Sequence, residues 1–389
     1  MRVQEIQTYL RDLDLDGWLL YDFQSANPIA RRVAELVDEM LTRRWLLFIP
    51  AQGEPRWLYH AIESHSFEGL EGVHNTYARW SEFLRGIDDL CVGSNRIAIE
   101  YSPSGEIPYV SRIDGGTLDL LRNTGLELIC SGELAQLYEA RCSEEAIAEH
   151  RKAAQFLLSA KDRTFEFVSQ HLREGQRFTE YDIQQFMSGL FEHENIIANC
   201  DPIVAVNHRS ADPHYIPTPD DHQEVKPGDF LLIDLWGKTK AHGAVYADIT
   251  WTAYLGTSAP SKHREVFDVV TAARDRGIEF LDQQFSDGRY TPAFEVDDAV
   301  RQVINSAGYG DYFFHRTGHN LGFEDHGNGA HLDNYETHDT RPLIPGLLFT
   351  IEPGIYLEDF GVRSEINILM SEQGPEVTTL PLQTEIICI

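Results

Sequence analysis

Apolar and polar residues alternate in short blocks over the first third of the chain, and the blocks switch between the helical and the extended period. Residues 1–13 keep the spacing of an amphipathic helix. Later runs rich in β-branched and aromatic residues predict strands, because Gly, Pro and Asp separate them. The pattern predicts a small α/β domain over residues 1–135, with a helix over Arg31–Leu41 and strands over Asp16–Phe23, Arg44–Pro50, Arg56–His60, Arg96–Tyr101 and Gly125–Cys130.

Long helical stretches replace these short blocks in the rest of the chain. Capping residues at the start and glycines past the end mark several of the helices. Paired strands alternate with the later helices, which is typical of an α+β domain. We therefore place a domain boundary within residues 132–143 and a second domain over residues 143–389. Its predicted helices are Ser143–Gly175, Thr179–Glu194, Ser261–Phe285 and Val296–Ala307.

One apolar strand pair in the second domain carries two aspartates. The segments Phe230–Trp236 and Val245–Thr252 predict an antiparallel pair, joined by the polar segment 238–243. Each strand is apolar except at one position, which is Asp234 in the first and Asp248 in the second. A buried carboxylate without a partner costs several kcal/mol, so these positions indicate a nearby cation.

A second apolar pair, predicted over Leu347–Tyr356 and Gly361–Leu369, carries two glutamates. If residues 358 and 359 form a two-residue turn, counting back along both strands places Glu352 opposite Glu365. Like charges that face each other across a ladder are destabilising. A metal ion between the two carboxylates is the simplest explanation of this pattern.

A histidine completes the candidate site. His319 lies in a short segment that contains Gly318 and precedes the glutamate strands. Four carboxylates and one imidazole suit Mn²⁺, Co²⁺ or Zn²⁺, and their charge balances two divalent ions. No cysteine lies near these positions in the sequence. We therefore expect a dinuclear metal site.

Charge and cysteine content narrow the function classes. The formal net charge of −30 and the pI near 4.8 argue against nucleic acid or an anionic membrane as a partner. No run approaches the ~18 apolar residues of a membrane span, and no apolar leader follows the first residues. We expect a soluble, cytoplasmic protein. The five cysteines form no Cys-x-x-Cys pair and predict no disulfide framework: Cys91, Cys130, Cys142, Cys200 and Cys388.

Five segments of the second domain contain these residues: Leu232-Ile-Asp234, Asp248-Ile-Thr250, His315-x-x-Gly-His319-x-x-Gly-x-x-x-His326, Phe349-Thr-Ile-Glu352-Pro-Gly-Ile-Tyr356 and Val362-Arg-x-Glu365. Together they resemble the pita-bread metallopeptidases, and within them the Xaa-Pro group of prolidases and proline aminopeptidases. The resemblance covers residues 143–389 and implies an α+β pita-bread catalytic domain of the creatinase and aminopeptidase type. The first domain is similar in size and kind to the lid domain of that group.

The resemblance implies a metal role for five residues. Asp234 would chelate one ion, Asp248 and Glu365 would bridge both ions, and His319 and Glu352 would complete the second. Glu352 is also the candidate to carry a proton from the attacking water to the leaving nitrogen.

Five further residues have implied roles around the metal ligands. His326 resembles the histidine that steadies the developing oxyanion. His214 and His315 resemble histidines of the substrate pocket. Tyr356 and Arg363 resemble supports of the ligands or contacts to the substrate.

Three features depart from the family pattern. The segment 238–243 makes the connection between the two aspartates longer than usual. Trp236 stands where a glycine is common, and Trp251 replaces a frequent arginine. We expect these changes to affect pocket shape and substrate choice.

The expected function is a metallopeptidase that cleaves the bond before proline, with manganese preferred over cobalt or zinc. We favour action on dipeptides, because His214 and Arg363 could bind a free carboxylate, and the alternative is an aminopeptidase that accepts longer peptides. Two rival functions on the same fold are a protein that binds without catalysis and a creatinase-like hydrolase without metal. Neither would need all five ligands. The resemblance also implies a homodimer.

Overall fold

The strand Gly17–Asp22 is buried at every position, because helices cover both faces of the sheet to which it belongs. The computed structural model describes residues 2–389 and divides the chain into a unit that ends at Glu139 and a unit that begins at Ala140. The first unit contains α1 (Val3–Asp12), β1 (Gly17–Asp22), α2 (Pro28–Val33), β2 (Trp45–Pro50), β3 (Arg56–His60), β4 (Val73–Tyr77), α3 (Trp80–Leu90), β5 (Arg96–Ile99), α4 (Gly115–Arg122), β6 (Glu127–Cys130) and α5 (Gly132–Ala135).

The first unit is a three-layer α/β arrangement around one mixed sheet. The strands lie in the order β4-β3-β2-β1-β5-β6, and β1 is antiparallel to β2 but parallel to β5. Successive side chains of a strand point to opposite faces. Trp18 and Leu20 therefore pack with α1 and α2, whereas Leu19 and Tyr21 pack with α3. The predicted α/β class of this region is confirmed.

The helix predicted over Arg31–Leu41 was misplaced. The helix runs over Pro28–Val33 instead, because the Asn27 side chain accepts a hydrogen bond from the Ala30 amide and the proline occupies the first turn. Glu35 has a φ of 59°, a left-handed conformation that ends the helix. Local capping therefore outweighed the apolar spacing that suggested a later helix.

The second unit combines long helices with several short sheets. Its elements are α6 (Glu144–Glu174), α7 (Glu180–Glu194), β7 (Ile196–Ile197), β8 (Ile203–Val206), β9 (Phe230–Thr239), β10 (Ala247–Tyr254), α8 (Ser261–Ser286), α9 (Ala293–Ser306), β11 (Asn320–Leu321), β12 (Leu348–Ile351), β13 (Gly354–Tyr356), β14 (Gly361–Arg363), β15 (Ile366–Ser371), β16 (Gly374–Val377) and β17 (Ile387–Cys388).

The predicted caps of the first two helices are confirmed. The Ser143 hydroxyl accepts a hydrogen bond from the Ala146 amide at the start of α6, and Gly175 ends that helix with a φ of 62°. Thr179 and Asp182 form a reciprocal capping box at the start of α7. These contacts are local in sequence, which is why the pattern of residues was enough to predict them.

Two helix-covered sheets make up the core of the second unit. The sheet β17-β10-β9-β7, with β8 also paired to β9, packs against α6 and α7. The sheet β11-β12-β15-β16 packs its apolar face against α8 and α9. Asn367 on β15 joins the two sheets, because its side chain donates to the Asp248 carbonyl (2.7 Å) and accepts from the Asp248 amide (2.9 Å). Among the described residues, no helix is long and apolar enough to cross a membrane.

A buried carboxyl group lies at the end of β5 in the first unit. Glu100 is fully buried, and it accepts hydrogen bonds from Trp18 Nε1 (2.6 Å) and Asn27 Nδ2 (3.0 Å). Burial raises the pKa of Glu100 from its ordinary value of 4.5 to about 7, although these two donors oppose the rise. The folded unit therefore keeps a proton that the unfolded chain releases between these two pH values.

We expect the variant Glu100→Gln to remove a pH dependence of stability. The stabilisation from the retained proton is complete below the unfolded pKa and is lost as pH rises through the folded pKa, which amounts to about 3 kcal/mol. Urea unfolding of both proteins should show the variant gaining on the parent between about pH 5 and about pH 8.5. The glutamine side chain of the variant has one acceptor oxygen and cannot accept hydrogen bonds from both Trp18 and Asn27 in this geometry. The stability lost with that hydrogen bond is the same at every pH. A difference that does not change with pH would contradict this account.

Candidate metal centre

Asp234 and Asp248 lie on the same face of the β9–β10 pair. In the register of this pair, Asp234 lies opposite Thr250 and Asp248 lies opposite Trp236. Residues two positions apart along a strand share a face, so both carboxylates and the Thr250 hydroxyl point to one side. Both aspartates are buried, with exposures of 8% and 5%.

The register of the glutamate strands agrees with the sequence prediction. Ile351 lies opposite Ile366 in the β12–β15 ladder, and Tyr356 lies opposite Gly361 in the β13–β14 ladder. Both ladders follow one count. Continued through the gap between them, that count places Glu352 opposite Glu365.

The prediction of two continuous glutamate strands was wrong, because the pairing breaks at the two acidic residues. At the break, the Glu352 amide donates to the Thr317 carbonyl (2.8 Å), and the Glu365 amide contacts the Thr250 carbonyl (3.4 Å). These backbone groups have left the ladder to bind neighbouring segments. The two carboxylates therefore lie where three segments meet.

His319 is positioned by its own backbone. Its amide donates to Thr350 Oγ1 (3.0 Å), and its carbonyl accepts from the Thr350 amide (2.9 Å). Gly318 allows this approach, since a Cβ at that position would collide with the Thr350 carbonyl oxygen. His319 Nε2 lies 3.5 Å from Glu352 Oε1 and 3.7 Å from Asp248 Oδ2.

The five residues predicted as metal ligands come together in one cluster. In two overlapping groups, the ligand atoms all lie within 4.8 Å of one another: Asp234, Asp248 and Glu365, and His319, Glu352 and Glu365. A third group joins Asp248 and His319 to Asp325, which the sequence did not predict. Carboxylate oxygens and imidazole nitrogens are the donors that Mn²⁺, Co²⁺ and Zn²⁺ accept.

Several acidic oxygens of the cluster lack protein partners. Asp234 Oδ1, Asp248 Oδ1 and Glu365 Oε1 are buried and make no hydrogen bond to any residue that the structure describes. Buried polar groups are normally paired, so several such atoms at one point require an explanation. Divalent cations would supply the missing charge, and the donor set fits them.

The pKa shifts of the clustered residues also fit a site for cations. Burial, followed by the Glu365 carboxylate, raises the pKa of Asp248 well above its ordinary value. Burial, followed by the Glu352 carboxylate, raises the pKa of Glu365 in the same way. Burial lowers the pKa of His319 well below its ordinary range, which keeps the imidazole neutral and able to bind a metal.

Arg363 and Tyr356 support the cluster from one side. The guanidinium donates to Asp234 Oδ2 (2.6 Å), Thr250 Oγ1 (3.0 Å) and the Tyr356 hydroxyl (3.0 Å). The tyrosine hydroxyl also lies 2.7 Å from His315 Nε2. Arg363 is only 3% exposed and uses every guanidinium nitrogen in these contacts. This arrangement favours a supporting role for it over a grip on a substrate carboxylate.

His326 lies next to the metal ligand candidate His319. Its ring centre is 4.1 Å from that of His319, and Arg316 Nη2 donates to its Nδ1 (3.0 Å). Because Nδ1 accepts, the proton of the neutral ring is on Nε2. Partial burial and then the Arg316 guanidinium lower the pKa of His326 to about 4. His214 is exposed and close enough for its charge to affect His326.

Sequence reasoning missed several residues that surround the ligands. Thr250 donates to Glu365 Oε2 (2.8 Å), and Thr350 donates to Glu352 Oε1 (3.2 Å). Both threonines lie in segments that carry the family resemblance, but threonine is common in strands, so their presence did not indicate a role. Arg316 and Asp325 lie in the same motif as His319 and His326, and their charge beside those histidines was the available signal.

Comparison with known proteins identifies the family to which this chain belongs. The model of metallopeptidase family M24 matches residues 148–372, which is more than half of the chain. The chain belongs to metallopeptidase family M24.

Two relatives and one solved structure show how far the similarity of this M24 chain extends. An Xaa-Pro dipeptidase of Pyrococcus furiosus is 36% identical over 184 residues, which are 46% of this chain and 47%, about half, of that relative's length. An uncharacterised peptidase of Staphylococcus epidermidis is 30% identical over 97% of this chain and 98% of its own. The crystal structure of a prolidase from Pyrococcus horikoshii is similar in fold, with a TM-score of 0.64, 23% identity and 99% of each chain covered. The predicted pita-bread fold is confirmed.

The connection between Asp234 and Asp248, which is longer than usual in family M24, contacts the loop that contains Phe323. Lys238, at the end of β9, donates its ammonium to the Phe323 carbonyl, and the Tyr246 amide donates to the Gly322 carbonyl (3.1 Å). Both contacts hold the loop that precedes His326. Trp251 instead lies under the Lys161 ammonium (3.8 Å) on the α6 side of the sheet, away from the metal cluster.

Replacing Gly318 should disturb the metal centre. In Gly318→Ala, the new methyl group would push His319 away from the Thr350 backbone. We expect at least about tenfold weaker Mn²⁺ binding, measured by calorimetry, because metal affinity responds strongly to ligand orientation. The control is Gly189→Ala in α7, where a Cβ meets nothing within 4 Å. Equal affinities in both variants would show that the close approach at Gly318 is unimportant.

Proposed function

We propose that this chain is a dinuclear metallopeptidase that hydrolyses the bond before proline, with a preference for Xaa-Pro dipeptides. The observation that carries the proposal is the set of buried carboxylate oxygens without partners on Asp234, Asp248 and Glu365. A protein that only bound peptides would have no use for such a costly charge cluster. The similarity to the Pyrococcus furiosus Xaa-Pro dipeptidase supports the substrate class.

The five clustered residues would hold two ions between them. Asp234 would help to hold the first ion and His319 and Glu352 the second. Asp248 and Glu365, each of which belongs to two of the clustered groups, would serve both ions. When bound, two divalent ions lower the pKa of water and polarise a carbonyl group. The carboxylate-rich donor set favours manganese.

Glu352 would manage the proton of the reaction. Its Oε1 accepts from Thr350 Oγ1 (3.2 Å), which fixes the carboxylate beside His319. The proline nitrogen of a peptide bond has no N–H, and it must leave as a neutral amine. A carboxylate that takes a proton from the attacking water and delivers it to this nitrogen meets that need.

His326 would stabilise the oxyanion that develops on the substrate carbonyl. Arg316 donates to its Nδ1, so the Nε2–H is available as a donor. A neutral imidazole that donates avoids a further positive charge next to the metal ligands. Replacing His326 should therefore lower kcat more than it raises KM.

His214 would bind the free carboxylate of a dipeptide. Its ring is exposed, lies near His326 and makes no hydrogen bond among the described residues. His315 is instead occupied by Tyr356 and the Arg316 carbonyl, which makes it a support of the pocket. In this proposal residues 143–389 form the catalytic domain and residues 1–135 the lid domain. The homodimer and the cytoplasmic location also stay predictions.

Metal removal provides the first test. Protein stripped with a chelator should take up two Mn²⁺ ions per chain in elemental analysis, and cleavage should return with the metal. In Asp248→Asn we expect fewer bound ions and a roughly thousandfold lower kcat/KM, about 4 kcal/mol of transition-state stabilisation. The control Asp268→Asn changes an exposed carboxylate on α8. Metal binding without any peptide cleavage would favour a non-catalytic binding protein.

Substrate length provides the second test. The Mn²⁺-loaded protein should have at least about tenfold higher kcat/KM for Xaa-Pro than for Xaa-Pro-Yaa, about 1.4 kcal/mol. His214→Ala should raise KM for the dipeptide and leave KM for the tripeptide nearly unchanged, because only the dipeptide places a carboxylate there. The control is His208→Ala, at an exposed histidine that precedes His214 in the chain. Activity on the tripeptide alone would identify an aminopeptidase.

A further inference from the structure

Asp325 adds a carboxylate to the metal cluster, although it is not one of the five predicted ligands. One of its oxygens lies within 4.8 Å of ligand atoms of both Asp248 and His319. Its side chain is 14% exposed, but its Oδ1 is buried and makes no hydrogen bond in the described part of the chain. Oδ2 lies 3.6 Å from His326 Nε2, beyond ordinary hydrogen-bond length.

The neighbouring aspartate has the same deficit. Asp248 is 5% exposed, and its Oδ1 also lacks a partner. Two buried acidic oxygens without a hydrogen-bond partner, on Asp248 and Asp325, therefore lie beside the His319 imidazole. Arg363 does not pair with them, because its nitrogens contact Thr250, Tyr356 and Asp234.

The loop backbone holds Asp325 in place. Lys238 and the Tyr246 amide bind the carbonyls of Phe323 and Gly322, and the Gly327 amide donates to the Asn320 carbonyl (2.9 Å). These contacts bracket the acidic residue on both sides. A carboxylate on an anchored loop is suited to metal binding, since little conformational freedom is lost when the ion arrives.

We infer that Asp325 is an additional ligand of the cation held by Asp248 and His319, an inference that rests on the proposed metal function. With Asp325, five carboxylates and one imidazole surround the two ions. A ligand set this rich in oxygen favours Mn²⁺ over Zn²⁺ and binds the ion more tightly.

Calorimetric titration of the chelator-treated full chain with MnCl₂ tests the inference. In Asp325→Asn we expect one of the two ions to bind at least about tenfold more weakly, as loss of a ligand or its support does in metal sites. The matched control is Glu324→Gln, which removes the same charge from an exposed neighbour and should stay within about twofold of the parent. Asp325→Glu, which keeps the charge, should recover part of the affinity.

A second measurement covers the case in which Asp325→Asn folds poorly. Mn²⁺ bound to the parent should carry fewer fast-exchanging waters, by proton relaxation, than Mn²⁺ bound to Asp325→Ala. Unchanged Mn²⁺ affinity in a folded Asp325 variant would overturn the inference. A higher KM for peptide in that variant would not rescue it, because Asp325 would then act on the substrate and not on the metal. That result would leave the proposed function intact. Failure of the parent to bind Mn²⁺ would refute both.

Discussion

Repulsion among carboxylates in a poorly hydrated interior is the constraint around which the second unit is built. Asp234, Asp248 and Glu365 each have one buried oxygen without a hydrogen-bond partner among the described residues. Because these residues are buried, water cannot solvate their negative charge. The protein meets part of this demand itself through Arg363 and Thr250. The negative charge that these two residues leave uncompensated would be neutralised by bound metal ions.

The scaffold around this cluster is made rigid by apolar packing on the outside and polar pairing on the inside. Helices α6 and α7 cover one sheet, and α8 and α9 cover the other. Between the sheets, Asn367 binds both backbone groups of Asp248. Such hydrogen bonds are stronger where water is scarce, so they define the positions of the charged groups closely.

Features that depend on neighbours in sequence could be predicted, and features that depend on distant contacts could not. The caps at Ser143 and Thr179 and the count from the turn before Phe360 are local, and the structure agrees with them. The break at Glu352 was missed because its cause, the Thr317 carbonyl, lies 35 residues earlier in the chain. Asp325 follows His319 by only six residues, so its charge was visible in the sequence. Only the fold shows that its carboxylate also reaches Asp248, which lies 77 residues earlier.

The interrupted pairing at Glu352 and Glu365 ties the site to the completion of folding. Their amides bind carbonyls of Thr317 and Thr250, which belong to different segments, and the clustered acids span residues 234 to 365. Contacts of such wide sequence separation form only when much of the chain has closed. A partly folded chain would lack the cluster, and affinity for metal would therefore act as a sensor of native assembly, with free cations drawing the population toward the finished domain.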